Sequence, residues 1–355
     1  MPFYDGRKEG AAIKAIYYVG DERVELRDIP VPEPKDGECL IRIEACGICG
    51  SDVEGFLGKT GRRIPPMIMG HEFAGVVEKT PPGGMYKAGS KVAVFPKLFC
   101  GECETCKQGQ VNLCPNAKFF GVMDSDGAMT EYICALEKYL VPYHGAGADV
   151  ASMAEPAAVS YSAVSKLTDA QITGARNILV VGAGTIGLMA LCWLKYKGAK
   201  RVICSDASDF RLSLASRMGA DAAVNPAKCE FERKISELTD GAMCDISVEA
   251  VGISPTAQAS VDALKNAGRS VWIGNAAKMV SVNMQSIVTK ELQIIGNYIY
   301  SFEDFKTCVS LLSEKAIDVT PMITHRMDMG SGVEAFDMLR HNEGGRAVKV
   351  ILTNG

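Results

Sequence analysis

From residue 12 to about 141, hydrophobic positions come in short runs that break at glycine and proline, the mark of β-strands joined by turns. Runs 39–45 (CLIRIEA), 73–77 (FAGVV) and 91–95 (KVAVF) are typical, and together they predict an irregular β domain. Near residue 177 the rhythm changes. Strand 177–181 precedes helix 186–197, strand 201–205 precedes helix 209–218, and strand 245–250 precedes helix 254–266, with a further strand at 269–273. Such alternation builds a parallel sheet covered on both faces, so the predicted fold class is α/β, with a doubly wound domain beside the β domain. Past residue 291 the pattern gives one more strand, a helix around 303–313 and a closing β run at 347–352. That last run is expected to return to the first domain. One uncharged stretch, 177–194, approaches the length of a membrane span, but Gly182, Gly184 and Gly187 divide it into strand, turn and helix. No membrane segment is expected, and no internal repeat, linker tract or low-complexity segment stands out.

Composition changes the picture in few places. A length of 355 residues exceeds what one core usually fills, and with 47% hydrophobic residues each of two domains can bury a proper interior. The net charge of −4 offers no general attraction to phosphate backbones or anionic lipid, which argues against nucleic-acid or membrane partners. The first ten residues carry Asp5, Arg7, Lys8 and Glu9 without an apolar stretch, so a secretory signal is not expected and the cytoplasm is the expected location. Thirteen cysteines in such a chain read as thiols and metal ligands, not disulfides.

Four of those cysteines carry the strongest chemical signal. Cys100, Cys103, Cys106 and Cys114 stand at C-x2-C-x2-C-x7-C spacing, which can surround one tetrahedral ion. Four thiolates form a closed shell with no position for substrate, so this lobe is read as structural. Cys114-Pro115 is compatible with an iron–sulfur ending, but the last gap is seven residues instead of three, and zinc is favoured.

A second motif, Gly182-Ala183-Gly184-Thr185-Ile186-Gly187, follows an apolar strand and opens a helix, the setting of a dinucleotide fingerprint. Its glycines allow a tight turn and close approach of backbone to a pyrophosphate, which the helix N-terminus attracts. Asp206 ends the next strand, where a carboxylate accepts hydrogen bonds from both ribose hydroxyls and repels a 2′-phosphate; NAD is therefore preferred to NADP. A plain helix N-cap is the other reading of Asp206. Arg211, one helical turn later, can complement the adenosine half or simply be solvated.

The third constellation is dispersed: Cys49 with Ser51 in G-I-C-G-S-D, His71 and Glu72 in G-H-E, and Glu155 in A-E-P. Thiolate, imidazole and carboxylate form a mixed ligand set that leaves a position for water or substrate. Singly, each has an ordinary alternative: Cys49 in the core, His71 as a satisfied buried histidine, Glu155 as a helix-start carboxylate, Ser51 as a turn hydroxyl. The loop Lys59-Thr60-Gly61-Arg62-Arg63 can meet a substrate carboxylate or phosphate, or stand as a solvated basic loop. Phe56, Phe119 and Phe120 line the cleft or belong to the core.

In this order, G-x-C-G-S-D, G-H-E, C-x2-C-x2-C-x7-C, E-P-A-A-V and G-A-G-T-I-G closely resemble the zinc-dependent medium-chain dehydrogenase/reductase family, particularly its sorbitol or polyol dehydrogenase branch, over residues 13–352. The resemblance implies a GroES-like catalytic domain at 1–157 and 291–355, with the four-cysteine lobe at about 96–116, and a Rossmann domain at 158–290. It implies a catalytic zinc on Cys49 and His71, with Glu72 as ligand or as a carboxylate exchanging with water, and Glu155 acting directly or through water. The implied reaction passes hydride from a secondary alcohol to NAD while Ser51 relays the proton. A sugar alcohol is the expected substrate. Sugar acids or sugar-alcohol phosphates of the idonate or galactitol phosphate type, butanediol and threonine are alternatives, and a zinc- and NAD-binding redox regulator is the non-enzymatic one. A dimer or tetramer is expected. The chain departs from many relatives in having Glu54 where they carry a histidine after S-D-x, and Tyr161 and Ser162 where another histidine often follows E-P-x-A-V. These departures bear on the proton exit and on the substrate.

Overall fold

The computed structural model describes residues 12 to 354, so the N-terminal segment read above for targeting lies outside the described residues. Strand Glu38–Ile48 is the hub of the first domain. It pairs antiparallel with Glu72–Lys79 on one side and with Tyr132–Leu136 and Lys349–Thr353 on the other. Lys91–Val94 and Leu140–Pro142 extend the sheet beyond Glu72–Lys79, and Ile323–Asp328 runs parallel beside Lys349–Thr353. Inward side chains such as Ile41, Ile43, Phe73 and Val77 are almost wholly buried, as alternate positions of a strand facing a core must be. The closing strand does return to this domain, as expected.

The second domain is a six-stranded parallel sheet in the order 222–224, 202–205, 178–181, 244–249, 264–272, 293–296. Its central strand Ile178–Val181 is buried at every position, which explains why the sequence shows an unbroken apolar run there instead of alternation. The chain winds outward from this strand on one side, then restarts on the other from Cys244–Glu249. That reversal opens a crevice at the carboxyl ends of the two strands, where ligands of such sheets bind.

Several expectations need correction. Helix 254–266 stops at Asp262, because Leu264 already pairs with Cys244 and begins a strand that runs to Trp272. The sixth strand, Gln293–Gly296, lies past the expected boundary at 290, and the expected boundary at 157 falls inside helix Ala154–Val164. This helix joins the domains: Trp193 Nε1 donates to Ala157 O at 2.9 Å and Ser160 Oγ to Ile186 O at 2.8 Å. No described helix is long and apolar enough to cross a membrane.

Candidate active site

The four-cysteine lobe is compact. Sγ atoms of Cys103 and Cys114 are 3.8 Å apart, those of Cys114 and Cys100 3.5 Å, and those of Cys100 and Cys106 4.0 Å. A tetrahedron with zinc–sulfur bonds of about 2.3 Å has edges of about 3.8 Å, so the thiols fit such an ion and are too far apart for a disulfide. The Thr105 hydroxyl, 3.2 Å from Cys103 Sγ, and the Cys106 amide lower the Cys103 thiol to about 6, into the thiolate range needed of a ligand.

The dispersed constellation also comes together in part. Donor atoms of Cys49, His71 and Glu72 all lie within 4.8 Å of one another. Glu155 is outside that trio, although its carboxyl is close enough to feel the charges of His71 and Glu72. Cys49 precedes the short helix Gly50–Phe56, His71 directly precedes strand Glu72–Lys79, and Glu72 opens it. The sheet brings them together because Gly47 pairs with Glu72. A Cβ at Gly47 would fall 2.2 Å from Glu72 Oε2, so only glycine admits the carboxylate there. His71 Nδ1 is buried and faces Asp52 Oδ1 at 3.5 Å, and its ring meets Phe119 edge-on at 5.7 Å. A mixed trio of thiol, imidazole and carboxylate has the chemistry of a metal site with room for a further ligand.

Sequence reasoning missed the groups that hold this trio. Asp52, fully buried, accepts from the Cys49 amide at 3.1 Å and from Arg63 Nη2 at 2.7 Å and Nε at 3.2 Å, and His71 Nδ1 faces it at 3.5 Å. Burial alone would raise its carboxyl, but His71 and Arg63 outweigh that and hold it well below the usual range. Arg63 Nη2 also donates to Ser51 Oγ at 3.1 Å. The basic loop is thus divided. Arg63 is internal and paired, Lys59 pairs with Glu54 at 3.3 Å, and Arg62 is exposed. Glu72 receives Lys349 Nζ at 2.6 Å, and this lysine also donates to Ile48 O at 3.2 Å. Tyr300 donates its hydroxyl to Glu155 Oε1 at 2.8 Å. Burial pushes the Glu155 carboxyl up to about 7, and a bound cation would favour its ionised form. Phe56 belongs to the core, against Tyr18 and Phe336, and Phe120 packs on Phe73.

At the dinucleotide motif, helix Thr185–Tyr196 starts directly after Gly184. A Cβ at Gly187 would lie 1.7 Å from Gly182 O, which is the close approach the motif requires. Asp206 Oδ2 accepts from the Ala183 amide and Oδ1 from the Ser208 amide, both at 2.8 Å. Ser208, not Asp206, caps helix Asp209–Arg217, so the N-cap reading of Asp206 falls. Arg211 Nη1 lies 3.8 Å from Asp206, and its Nε donates to Gly345 O at 3.3 Å, so it is not a freely solvated arginine. Thr185 Oγ1 donates to Val348 O at 2.9 Å, and Ile186 and Gly187 continue the helix behind it.

Residues 35–145 match the alcohol dehydrogenase GroES-like domain family, and residues 185–314 match the zinc-binding dehydrogenase family. The chain is 33% identical to D-arabitol-phosphate dehydrogenase of Enterococcus avium, over 94% of each chain. It is 33% identical to sorbitol dehydrogenase of Gallus gallus, over 95% of this chain and 94% of that one. The crystal structure of galactitol-1-phosphate dehydrogenase from Escherichia coli superposes with a TM-score of 0.87 at 27% identity, covering 96% of this chain and 99% of that one.

Proposed function

Because the chain belongs to the zinc-dependent medium-chain dehydrogenase family, we propose that it oxidises a secondary alcohol of a polyol or sugar-derived substrate to a ketone, with NAD as hydride acceptor. The observation that carries this reading is the trio Cys49, His71 and Glu72 with the Ser51 hydroxyl on the adjoining turn. Zinc held by this trio, with Glu155 nearby, supplies a Lewis acid that acidifies the alcohol, and NAD supplies the hydride acceptor. The protein does the rest by placement. Asp52 fixes the Cys49 backbone and faces the ring of His71. Arg63 occupies one lone pair of Ser51 and leaves its other lone pair and its proton for the substrate oxygen and the exit route. Glu54, which stands where many relatives carry a histidine, pairs with Lys59 at 3.3 Å. Cys100, Cys103, Cys106 and Cys114 hold a second, structural zinc, so metal analysis is expected to find two zinc ions per chain. One zinc, or an iron–sulfur chromophore, would count against it.

The helix N-terminus at Gly184 and Thr185 receives the pyrophosphate, and Asp206 the ribose hydroxyls. In Asp206→Ser the preference for NAD over NADP should shrink by about one to two orders of magnitude, since a charged hydrogen bond is worth roughly 1.5–3 kcal/mol. Apparent affinities for the two cofactors measure this, and full discrimination in the variant would show that the motif is misassigned. Substrate class is tested by a panel of polyols, sugar acids, sugar-alcohol phosphates, butanediol and threonine with each cofactor, followed by absorbance of reduced nicotinamide. Turnover is expected with a polyol or its phosphate and NAD. Turnover confined to threonine or butanediol would refute the substrate reading.

A further inference from the structure

The segment 297–300 leaves the last strand of the parallel sheet and delivers the Tyr300 hydroxyl to Glu155. At its centre Ile299 has φ 41°, in the left-handed region that β-branched residues rarely adopt. Such a conformation persists only where the surroundings hold it on both sides. On the sheet side, the Asn297 amide donates to Trp272 O at 2.9 Å, and its side chain donates to Ile299 O at 3.0 Å. The other grip comes from the four-cysteine lobe. Asn112, between Cys106 and Cys114, donates Nδ2 to Tyr298 O at 3.1 Å. Lys97, three residues before Cys100, donates Nζ to Asn112 O at 2.8 Å and lies 5.6 Å from the centre of the Tyr298 ring. Beyond Ile299, the fully buried Tyr300 ring rests against Phe95 at 5.7 Å and Phe305 at 6.0 Å. Lys97 and Phe95 belong to the single stretch of chain that leads into the first thiolate.

We propose that the four-cysteine lobe positions the catalytic carboxylate: Lys97 and Asn112 hold Tyr298 in place, and through Ile299 and Tyr300 they set where Glu155 stands. The proposal rests on the reading of Glu155 as part of the catalytic metal's surroundings. With the anchor gone, Ile299 relaxes out of its left-handed conformation and the Tyr300 hydroxyl leaves the carboxylate. Glu155 is then buried without its donor, and the trio faces a carboxylate that is no longer fixed. Lys97, Asn112 and Tyr298 touch neither substrate nor cofactor in this scheme. They are positioning residues.

The test compares Asn112→Ala, Lys97→Met and Lys97→Arg with Tyr300→Phe and Glu155→Gln in the full chain. Measured are zinc retained after mild chelation, affinity of the exchangeable site for zinc, the visible spectrum of cobalt loaded into that site, and kcat and KM. Asn112→Ala and Lys97→Met should keep the chelation-resistant zinc yet weaken the exchangeable site by about tenfold, the lower end for disturbing a metal's outer partners. Their cobalt spectra should shift in the same sense as that of Tyr300→Phe, kcat should fall more than KM changes, and Lys97→Arg should restore most of the loss. If Lys97→Met fails to fold, Asn112→Ala decides, since it removes one amide at the surface of the lobe. Wild-type spectra and affinities in the anchor variants, alongside altered ones in Tyr300→Phe and Glu155→Gln, would overturn the linkage. Wild-type behaviour of Glu155→Gln itself would instead overturn the reading of Glu155, and the proposal with it.

Discussion

Cys49→Ser and His71→Ala are each expected to lower turnover by at least about a thousandfold, equivalent to roughly 4 kcal/mol of barrier, while NAD affinity stays within about threefold of wild type. The two halves of that statement rest on separate domains. Both residues belong to the β domain, at the ends of strands that pair through Gly47 and Glu72, whereas the glycine motif and Asp206 stand on the parallel sheet. On the proposed assignment, removing a ligand of the trio takes away the cation that acidifies the alcohol without touching the crevice proposed for the dinucleotide. Turnover by absorbance, cofactor binding by calorimetry and zinc content together check it. Wild-type turnover in either variant with zinc still bound would show that the trio is not the catalytic centre.

With the exchangeable zinc removed, Lys349→Met should destabilise the protein by about 3–5 kcal/mol, the range seen when one partner of a buried ion pair is removed and the other charge is left unpaired. The side chains of Lys349 and Glu72 are only 2% and 1% exposed, so solvent cannot take over the lost interaction. Burial opposes the lysine's charge, but Glu72 outweighs it and raises the ammonium above its ordinary value. The double variant Lys349→Met with Glu72→Gln should recover much of the loss, because no bare charge then remains inside. Denaturant unfolding followed by far-ultraviolet circular dichroism reports both. A loss under about 1 kcal/mol in the single variant would mean that the pair is wetter than its burial indicates.

The parts of this protein that were legible in its sequence are those written over short stretches. The thiolate lobe spans Cys100 to Cys114, and the glycine motif sits between one apolar strand and one helix, so spacing alone brings out both. The parallel sheet was legible because strands buried on both faces are apolar without interruption. Helix Ala154–Val164 was legible only as a helix start at Glu155, and its extent was not, because its positions are buried nearly all round and its alanines and serines carry no amphipathic stripe. Lys349, Tyr300 and Arg63 escaped for another reason. Their partners Glu72, Glu155 and Asp52 are 277, 145 and 11 positions away, and no local pattern announces a contact that only the folded sheets create. Asp52 alone had a local signal, since a carboxylate three residues past the start of a helix commonly returns to cap its first amide.

The strand Lys349–Thr353 makes the β domain depend on a contact between distant parts of the chain. It covers the edge of Glu38–Ile48 next to Cys49 and supplies the cation for Glu72, and Lys349 lies 301 positions along the chain from its acceptor Ile48. Until that contact forms, the β domain has an open sheet edge and a carboxylate without its partner. The parallel sheet is contiguous in the chain and has no closure of that length, so loop entropy favours its formation ahead of the completed β domain. The trio itself lies within residues 49–72, so the long-range contact adds the lysine that steadies Glu72 and not the donor atoms.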